Sequence, residues 1–342
     1  MEKILFIADV GSDGSLPKIA LEVLSGAVQL ANDLDGATLT VGLIGADVQS
    51  AADSVAGCGA GAFLGVSGES FAVSRYSSDA AAAEALVRRS EATVVLAPGT
   101  SRLSRALPGV AQRTAGRIDT HVAGLRVDGG AVQIERWYYR QRMVAMMSRA
   151  QRPWFLLVDS GVFEPVESAA GSATVESVAA ELPSLRTQVL GEEAATGEAQ
   201  TIRPDADMLF VAGAGWTKKQ ADGQTHVSDA ETLILGFLEA TGSSLGSSKS
   251  LVDQSGEGQE VLSFMSHMNQ VGQTGSTPRH PKGLATCCHG EEPHVVGWRF
   301  IKERRAINLD AGCGWAQGKA DVLYVADAFE VMTRVNELLA KD

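Results

Sequence analysis

Short apolar runs of strand length alternate with helix-spaced segments from the start of the chain, and that alternation limits it to a small set of architectures. KILFIADV reads as a buried strand, GSDGSLP as a turn and helix start, and IALEVLSGAVQLANDL as a helix by the spacing of its apolar residues. ATLTVGLIG, AFLGVS and ATVVLAPG repeat the strand pattern, with VQSAADSVAG, DAAAAEALVRRS and SRLSRALPGVAQRT as helices after them. Strands joined through helices do not meet by tight hairpins, so they lie parallel in a sheet covered by helices on both faces. After Ile118 the pattern changes. HVAGLRVDGGAVQIERWYY reads as a hairpin with Asp-Gly-Gly at its turn, and WFLLVDSGVFEPV returns to strand.

A chain of 342 residues is longer than one core usually grows, so two domains are expected. The first closes near Glu181, as an α/β domain over 1–181. Residues 182–204 are polar, rich in small side chains and low in apolar periodicity, and read as a linker or arm. A second βα series then fills 205–342: ADMLFVAGAG as strand and glycine turn, SDAETLILGFLEATG as a helix opened by a Ser228 cap, and SSLGSSKSLVD as a strand ending in a polar turn. GLATCC, AINLD and DVLYVAD are three more short strands, and AFEVMTRVNELLAKD is a terminal helix. The fold class is α/β, with two doubly wound parallel-sheet domains.

A formal net charge of −12 repels phosphate backbones and anionic membrane surfaces, which argues against nucleic acid and lipid as partners. The N-terminal apolar run meets Asp9 and Gly11 too soon for a signal peptide, and no stretch approaches the ~18 apolar residues of a membrane span. Four cysteines, Cys58, Cys287, Cys288 and Cys313, are too few for a disulfide framework and fit a reducing, cytoplasmic setting.

In a doubly wound sheet, ligands sit where loops leave the carboxyl ends of strands. VAGAGW is one such turn, although a lone glycine pair is weak evidence and a plain strand-to-helix connector is the better reading. GSSKSLVD puts Ser247, Ser248 and Lys249 after a strand, where hydroxyls and an ammonium would face a pyrophosphate or a flavin ring; an exposed turn explains it equally well. In QVGQTG, Gly272 and Gly275 permit a tight backbone around Gln273 and Thr274, bringing donors close to a ring edge. CCHGEEPH offers Cys287, Cys288, His289 and His294, with Cys313, as metal ligands. No C-x-x-C pair is present and neighbours on a strand point to opposite faces, so the cysteines read better as small buried hydrophobes than as ligands or nucleophiles. RFIKERR is a local positive run whose default reading is a solvated face.

Taken together, the second-half motifs resemble the alpha subunit of an electron transfer flavoprotein. GSSKSLVD is similar to the family's G-A-S-R-x-x-V-D turn, QVGQTG to its identical motif, LATCCHGEEPH to I-A-x-G-I-S-G-A-x-Q-H, AINLD to A-I-N-K-D, and VADAFEV to the D-L-F-E-V before the last helix. From QVGQTG through AINLD the correspondence needs no gap. The first half resembles the family more loosely, through its opening βα unit and APGTSRLSRALPGVAQRTAGR. The resemblance implies an N-terminal nucleotide-alpha-hydrolase-like domain that packs on a beta subunit, and a C-terminal Rossmann-like domain that binds FAD. Electrons would arrive from a dehydrogenase and leave to a quinone reductase or another acceptor. It further implies cofactor contacts from Ser248, Lys249, Gln273, Thr274, Gly275, His289, Gly290, His294, Asn308, Asp310 and Asp327. Of these, Thr274 would lie near flavin N5 with Gln273 beside it, His294 at the pyrimidine carbonyls and Asp327 at the adenosine half.

The chain also departs from the family pattern. The turn arginine is Lys249, which keeps the charge and loses the planar fork. The serine before Gly290 is His289, the glutamine before His294 is Pro293, and the arginine of S-G-G-R-G is missing from VAGAGWTKK, where Lys218 or Lys219 could reach the pyrophosphate instead. A subunit that kept the fold without a competent flavin is therefore the alternative reading, and a Cys/His metal-site protein a weaker one.

Overall fold

A computed structural model describes residues 1–138, 143–166, 170–191, 202–203, 206–254, 261–272, 275–286, 301–311 and 320–341. The chain divides into two compact units, Met1–Glu192 and Glu193–Asp342.

The first unit runs β1 (Lys3–Asp9), α1 (Lys18–Asp33), β2 (Thr38–Gly45), α2 (Gln49–Ser54), β3 (Ala62–Ser67), α3 (Glu69–Ala72), α4 (Tyr76–Ser90), β4 (Val94–Pro98) and α5 (Ser101–Arg113). It continues through β5 (Arg117–Asp128), β6 (Ala131–Tyr138), β7 (Met143–Met147), β8 (Trp154–Val158) and β9 (Val175–Ser177). These strands form one sheet in the order β7-β6-β5-β8-β4-β1-β2-β3-β9. The run from β5 to β9 is parallel, whereas β6 pairs antiparallel with both β5 and β7, so the sheet is mixed at one edge. The predicted hairpin accounts for that edge. Gly129 and Gly130 adopt φ of 56° and 77°, which Cβ-bearing residues resist, and so close the turn between β5 and β6.

Side-chain alternation along the parallel strands gives the sheet two apolar faces. Phe6, Val41, Leu96 and Trp154 pack with Val23, Leu24, Ala27 and Leu30 of α1 on one face. Leu5, Ile7, Val95 and Phe155 pack with Leu86 of α4 and Leu107 of α5 on the other. Asp119 sits in β5 with its side chain 1 % exposed. It accepts hydrogen bonds from Trp154 Nε1 at 2.8 Å, Arg149 Nη2 at 2.8 Å and Arg136 Nη1 at 3.3 Å. Burial works to raise the Asp119 carboxyl, but the hydrogen bonds from Arg149 and Trp154 and the charges of Arg149 and Arg136 outweigh it and hold the group below the usual aspartate value.

The second unit runs β10 (Met208–Ala212), a 3-10 turn (Ala214–Thr217), α6 (Val227–Thr241), β11 (Ser244–Ser247), α7 (Lys249–Asp253), a second 3-10 turn (His267–Asn269), β12 (Lys282–Thr286), β13 (Glu303–Asn308), β14 (Val322–Val325) and α8 (Ala328–Leu339). Its sheet has the order β11-β10-β12-β13-β14, every neighbouring pair parallel. Phe210 of β10 and Ile307 of β13 share a core with Trp216, with Ile234 and Phe237 of α6 and with Met332 of α8. Leu209, Val211, Ala285 and Ala306 face the other side, against Val271 and Ile301.

Two local expectations change. Helix α6 begins at Val227 behind His226, with no side-chain cap bond, rather than behind Ser228. His226 is hydrogen-bonded to both Asp222 and Asp229, which fixes the chain's entry into the helix ahead of the serine. The polar turn expected after SSLGS is the short helix α7, because Ser248 Oγ accepts from Leu251 N at 3.2 Å and so opens a helical turn.

Candidate functional site at the carboxyl edge of the second sheet

Because all five strands of the second sheet are parallel, their carboxyl ends meet on one edge: Ala212, Ser247, Thr286, Asn308 and Val325 in β10 to β14. The chain leaves β10 toward β11 on one side, and leaves β12 toward β13 on the other. Numbered within the unit, the order is 2-1-3-4-5, and the crevice of such a sheet opens where the first and third strands part. Gly213 N donates to Thr286 O at 2.9 Å across that crevice, and Trp216 Nε1 donates to Thr286 Oγ1 at 2.8 Å. The glycine turn after β10 is thereby tied to the end of β12.

Among the described residues, two side-chain polar atoms on this edge are buried and unsatisfied. Ser247 is fully buried at the last position of β11, and its Oγ has no partner. Asn308 is 3 % exposed at the last position of β13. Its Oδ1 lies 3.5 Å from Asp310 N, while its Nδ2 has no partner. Leaving a buried donor unmade costs about 1–3 kcal/mol, so a pair of them on the carboxyl edge of a parallel sheet is a fit for a polar ligand. Ring carbonyls, hydroxyls and phosphates, such as a flavin dinucleotide carries, are acceptors of the kind these donors lack.

The remaining predicted residues divide into those that join this edge and those that lie outside the described residues. Ser248 follows Ser247 directly, is 3 % exposed, and uses Oγ as the α7 cap. Lys249 opens α7 and pairs with Asp253. Gly275 belongs to a closed loop in which Gly275 N donates to Gly272 O at 2.7 Å and Ser276 N to Gln270 O at 2.9 Å. This loop is joined to β11 by Val271 N, which donates to Ser247 O at 3.0 Å. Asp310 is exposed just beyond β13. Asp327 caps α8, its Oδ1 accepting from Phe329 N at 2.7 Å and Glu330 N at 3.3 Å. Gln273, Thr274, His289, Gly290 and His294 lie outside the described residues, as do Cys287, Cys288 and Cys313.

Sequence reasoning put Ser247 after the strand, in the polar turn with Ser248 and Lys249; the structure makes it the last strand residue. It also passed over the cluster around His226. A cavity of about 550 Å³ is lined by Asp222, His226, Asp229, Asp327, Phe329 and Glu330, among others. His226 Nε2 lies 2.7 Å from Asp222 and Nδ1 3.1 Å from Asp229, and these two hydrogen bonds push the imidazole above the usual histidine value. The only signal for it in the sequence is the D-x-x-x-H-x-x-D spacing across a turn and a helix start.

The first unit has a switch point of its own, between β1 and β4. Asp9 stands there with Oδ1 unpartnered, and burial pushes its carboxyl up against the opposing charge of Arg102. Arg102 is already bound to Asp79 at 2.8 Å and to Phe71 O at 2.7 Å. Among the described residues, no helix is long and apolar enough to cross a membrane.

The chain is similar to the alpha subunit of the electron transfer flavoprotein of Syntrophomonas wolfei subsp. wolfei (strain DSM 2245B / Goettingen), at 25 % identity over 329 residues, covering 95 % of this chain and 96 % of that one. The family model described as electron transfer flavoprotein domain matches residues 4–183, which is most of the first unit and more than half of the chain. The chain therefore belongs to the electron transfer flavoprotein domain family, as a divergent, alpha-like member.

Proposed function

We propose that the chain is the FAD-holding subunit of a two-subunit electron carrier, pairing with a beta subunit, taking electrons from a dehydrogenase and passing them to a quinone reductase or another acceptor. The observation that carries this reading is the pair of buried, unpartnered atoms, Ser247 Oγ and Asn308 Nδ2, on the carboxyl edge of a 2-1-3-4-5 sheet. Family membership supports the electron-transfer role, and the full-length similarity to an alpha subunit supports the choice of partner.

Bound FAD would supply one- and two-electron redox chemistry. The chain's own residues bind and orient it. Asn308 donates through Nδ2, and Ser247 offers a hydroxyl that both donates and accepts. Ser248 keeps its proton available while its oxygen caps α7. Asp327, with Oδ1 engaged in the α8 cap, presents its other oxygen to a ribose hydroxyl. Gln273, Thr274, Gly275, His289, Gly290 and His294 are assigned to the ring region, and Asp310 beside it, on the sequence resemblance. His294 as a donor to the ring would favour negative charge there and raise the potential. The soluble setting expected from the sequence, a reducing cytoplasm, belongs to this reading too.

The test is to co-purify the chain with its beta subunit and record the visible spectrum. The bands of oxidised flavin, released as free FAD on denaturation, are expected. A colourless complex that takes up no added FAD contradicts the reading and favours a flavin-deficient subunit.

A further inference from the structure

We propose that Asp253 is a positioning residue that sets where the Lys249 ammonium stands relative to the bound flavin. The inference rests on the FAD reading above. Lys249 directly follows Ser248 and lies two residues beyond the unpartnered Ser247 hydroxyl, at the carboxyl end of β11. It is the described cation nearest in sequence to that atom. Its Nζ is bound by Asp253, one helical turn on and on the same side of α7. The other Asp253 oxygen lies 2.9 Å from His267 Nε2, on the 3-10 turn that packs against α7 and β11. Hydrogen bonds from Lys249 and then His267 hold the Asp253 carboxyl below the usual aspartate value. Among the described residues, the charges acting on it are those same two groups, since the neighbouring turn Ala214–Thr217 carries none.

A lysine ammonium is a point charge on a flexible stem, so its location is decided by what it pairs with. Paired along α7, it stands beside a carboxylate, and the flavin region feels a nearly neutral ion pair in place of a cation. The side chains of Lys249 and Asp253 are 39 % and 34 % exposed, and ion pairs at that exposure are weak and screened. Asp253 therefore moderates the cation without removing it, and a ring that gains negative charge competes for it. This arrangement differs from a planar guanidinium, which could hold a carboxylate and a ring edge at the same time.

The experiment uses the FAD-loaded complex with its beta subunit, and reads both the flavin midpoint potential and the FAD dissociation constant. In Asp253→Asn the cation loses its carboxylate, so the ratio of reduced to oxidised flavin at a fixed potential is expected to rise by roughly tenfold, with tighter FAD binding. In a Lys249→Gln background the same substitution is expected to change that ratio by less than about twofold, because the group it acts through is gone. Asp253→Glu, which keeps the charge, is expected to stay near the wild-type ratio. Equal shifts with and without Lys249, no shift in either background, or an Asp253→Glu ratio as high as that of Asp253→Asn would each overturn the proposal. A complex that holds no flavin at all overturns the FAD reading instead, which keeps the two failures apart.

Discussion

Asp119→Ala is expected to destabilise the first unit by about 3–5 kcal/mol, the cost of leaving partly buried cations without their carboxylate. Asp119 gathers Trp154 Nε1, Arg149 and Arg136 around one buried carboxylate. Removing it strands the two guanidiniums, 30 % and 24 % exposed, beside an indole N–H that loses its acceptor. Urea denaturation of the full chain checks this, through the transition assigned to the first unit by hydrogen exchange. The pH dependence provides a second check. The Asp119 carboxyl is held below its ordinary value, so its contribution is complete above the unfolded aspartate value of about 3.9 and is lost as pH falls through the lower folded value. The gap between wild type and variant should therefore be full at neutral pH and shrink in acid. A gap below about 1 kcal/mol at neutral pH would mean that Asp119 does not organise these cations.

Gly275→Ala should weaken FAD binding by at least about tenfold while leaving the first unit's stability unchanged. An added Cβ would lie 2.2 Å from Gln270 O and 2.8 Å from Gln270 C, both backbone atoms that cannot swing aside. The loop would have to open, and with it the bonds from Ser276 N to Gln270 O and from Val271 N to Ser247 O are put under strain. Overpacking costs about 1–3 kcal/mol, and 1.4 kcal/mol is a tenfold change in affinity. A titration of the flavin-stripped complex with FAD measures the change directly. Unaltered affinity would show that the Gln270–Ser276 loop is not part of the cofactor site.

Much of the fold was legible because its elements carry their own punctuation. AFLGVS gives β3 residue for residue, and the Asp128-Gly-Gly turn foretells the antiparallel edge, since Gly129 and Gly130 need positive φ. Boundaries slipped where a tertiary contact overruled a local signal. Ser228 is a good capping residue by type, yet His226, held between two aspartates, starts α6 ahead of it. The candidate site was legible in part for a similar reason. Ser248, Asn308 and Asp327 announced themselves through motif resemblance, but whether a side chain is satisfied depends on the packing of strands far apart in sequence. Ser247 reads as one serine among several in SSLGSSKS, and only its position at the end of β11 leaves its hydroxyl buried and unpartnered. Likewise, nothing in the spacing of Lys249 reveals that His267, eighteen positions on, shares its counter-ion. The family model matches the first unit, whereas the motifs that stand out to the eye lie in the second. Folded scaffolds leave a diffuse signal over many apolar positions, and ligand sites leave a sharp one over few.

The proposed flavin position is the carboxyl edge of the second sheet. Amide hydrogen exchange, compared between the FAD-loaded and FAD-stripped complex, tests it most directly. Slower exchange upon loading is predicted at Ser247 and Ser248, at Gly272 and Gly275, and from Asn308 to Asp310, with the strands of the first unit unchanged. Protection confined to Met1–Glu192, or no difference at these positions in a complex that holds FAD, would contradict the account.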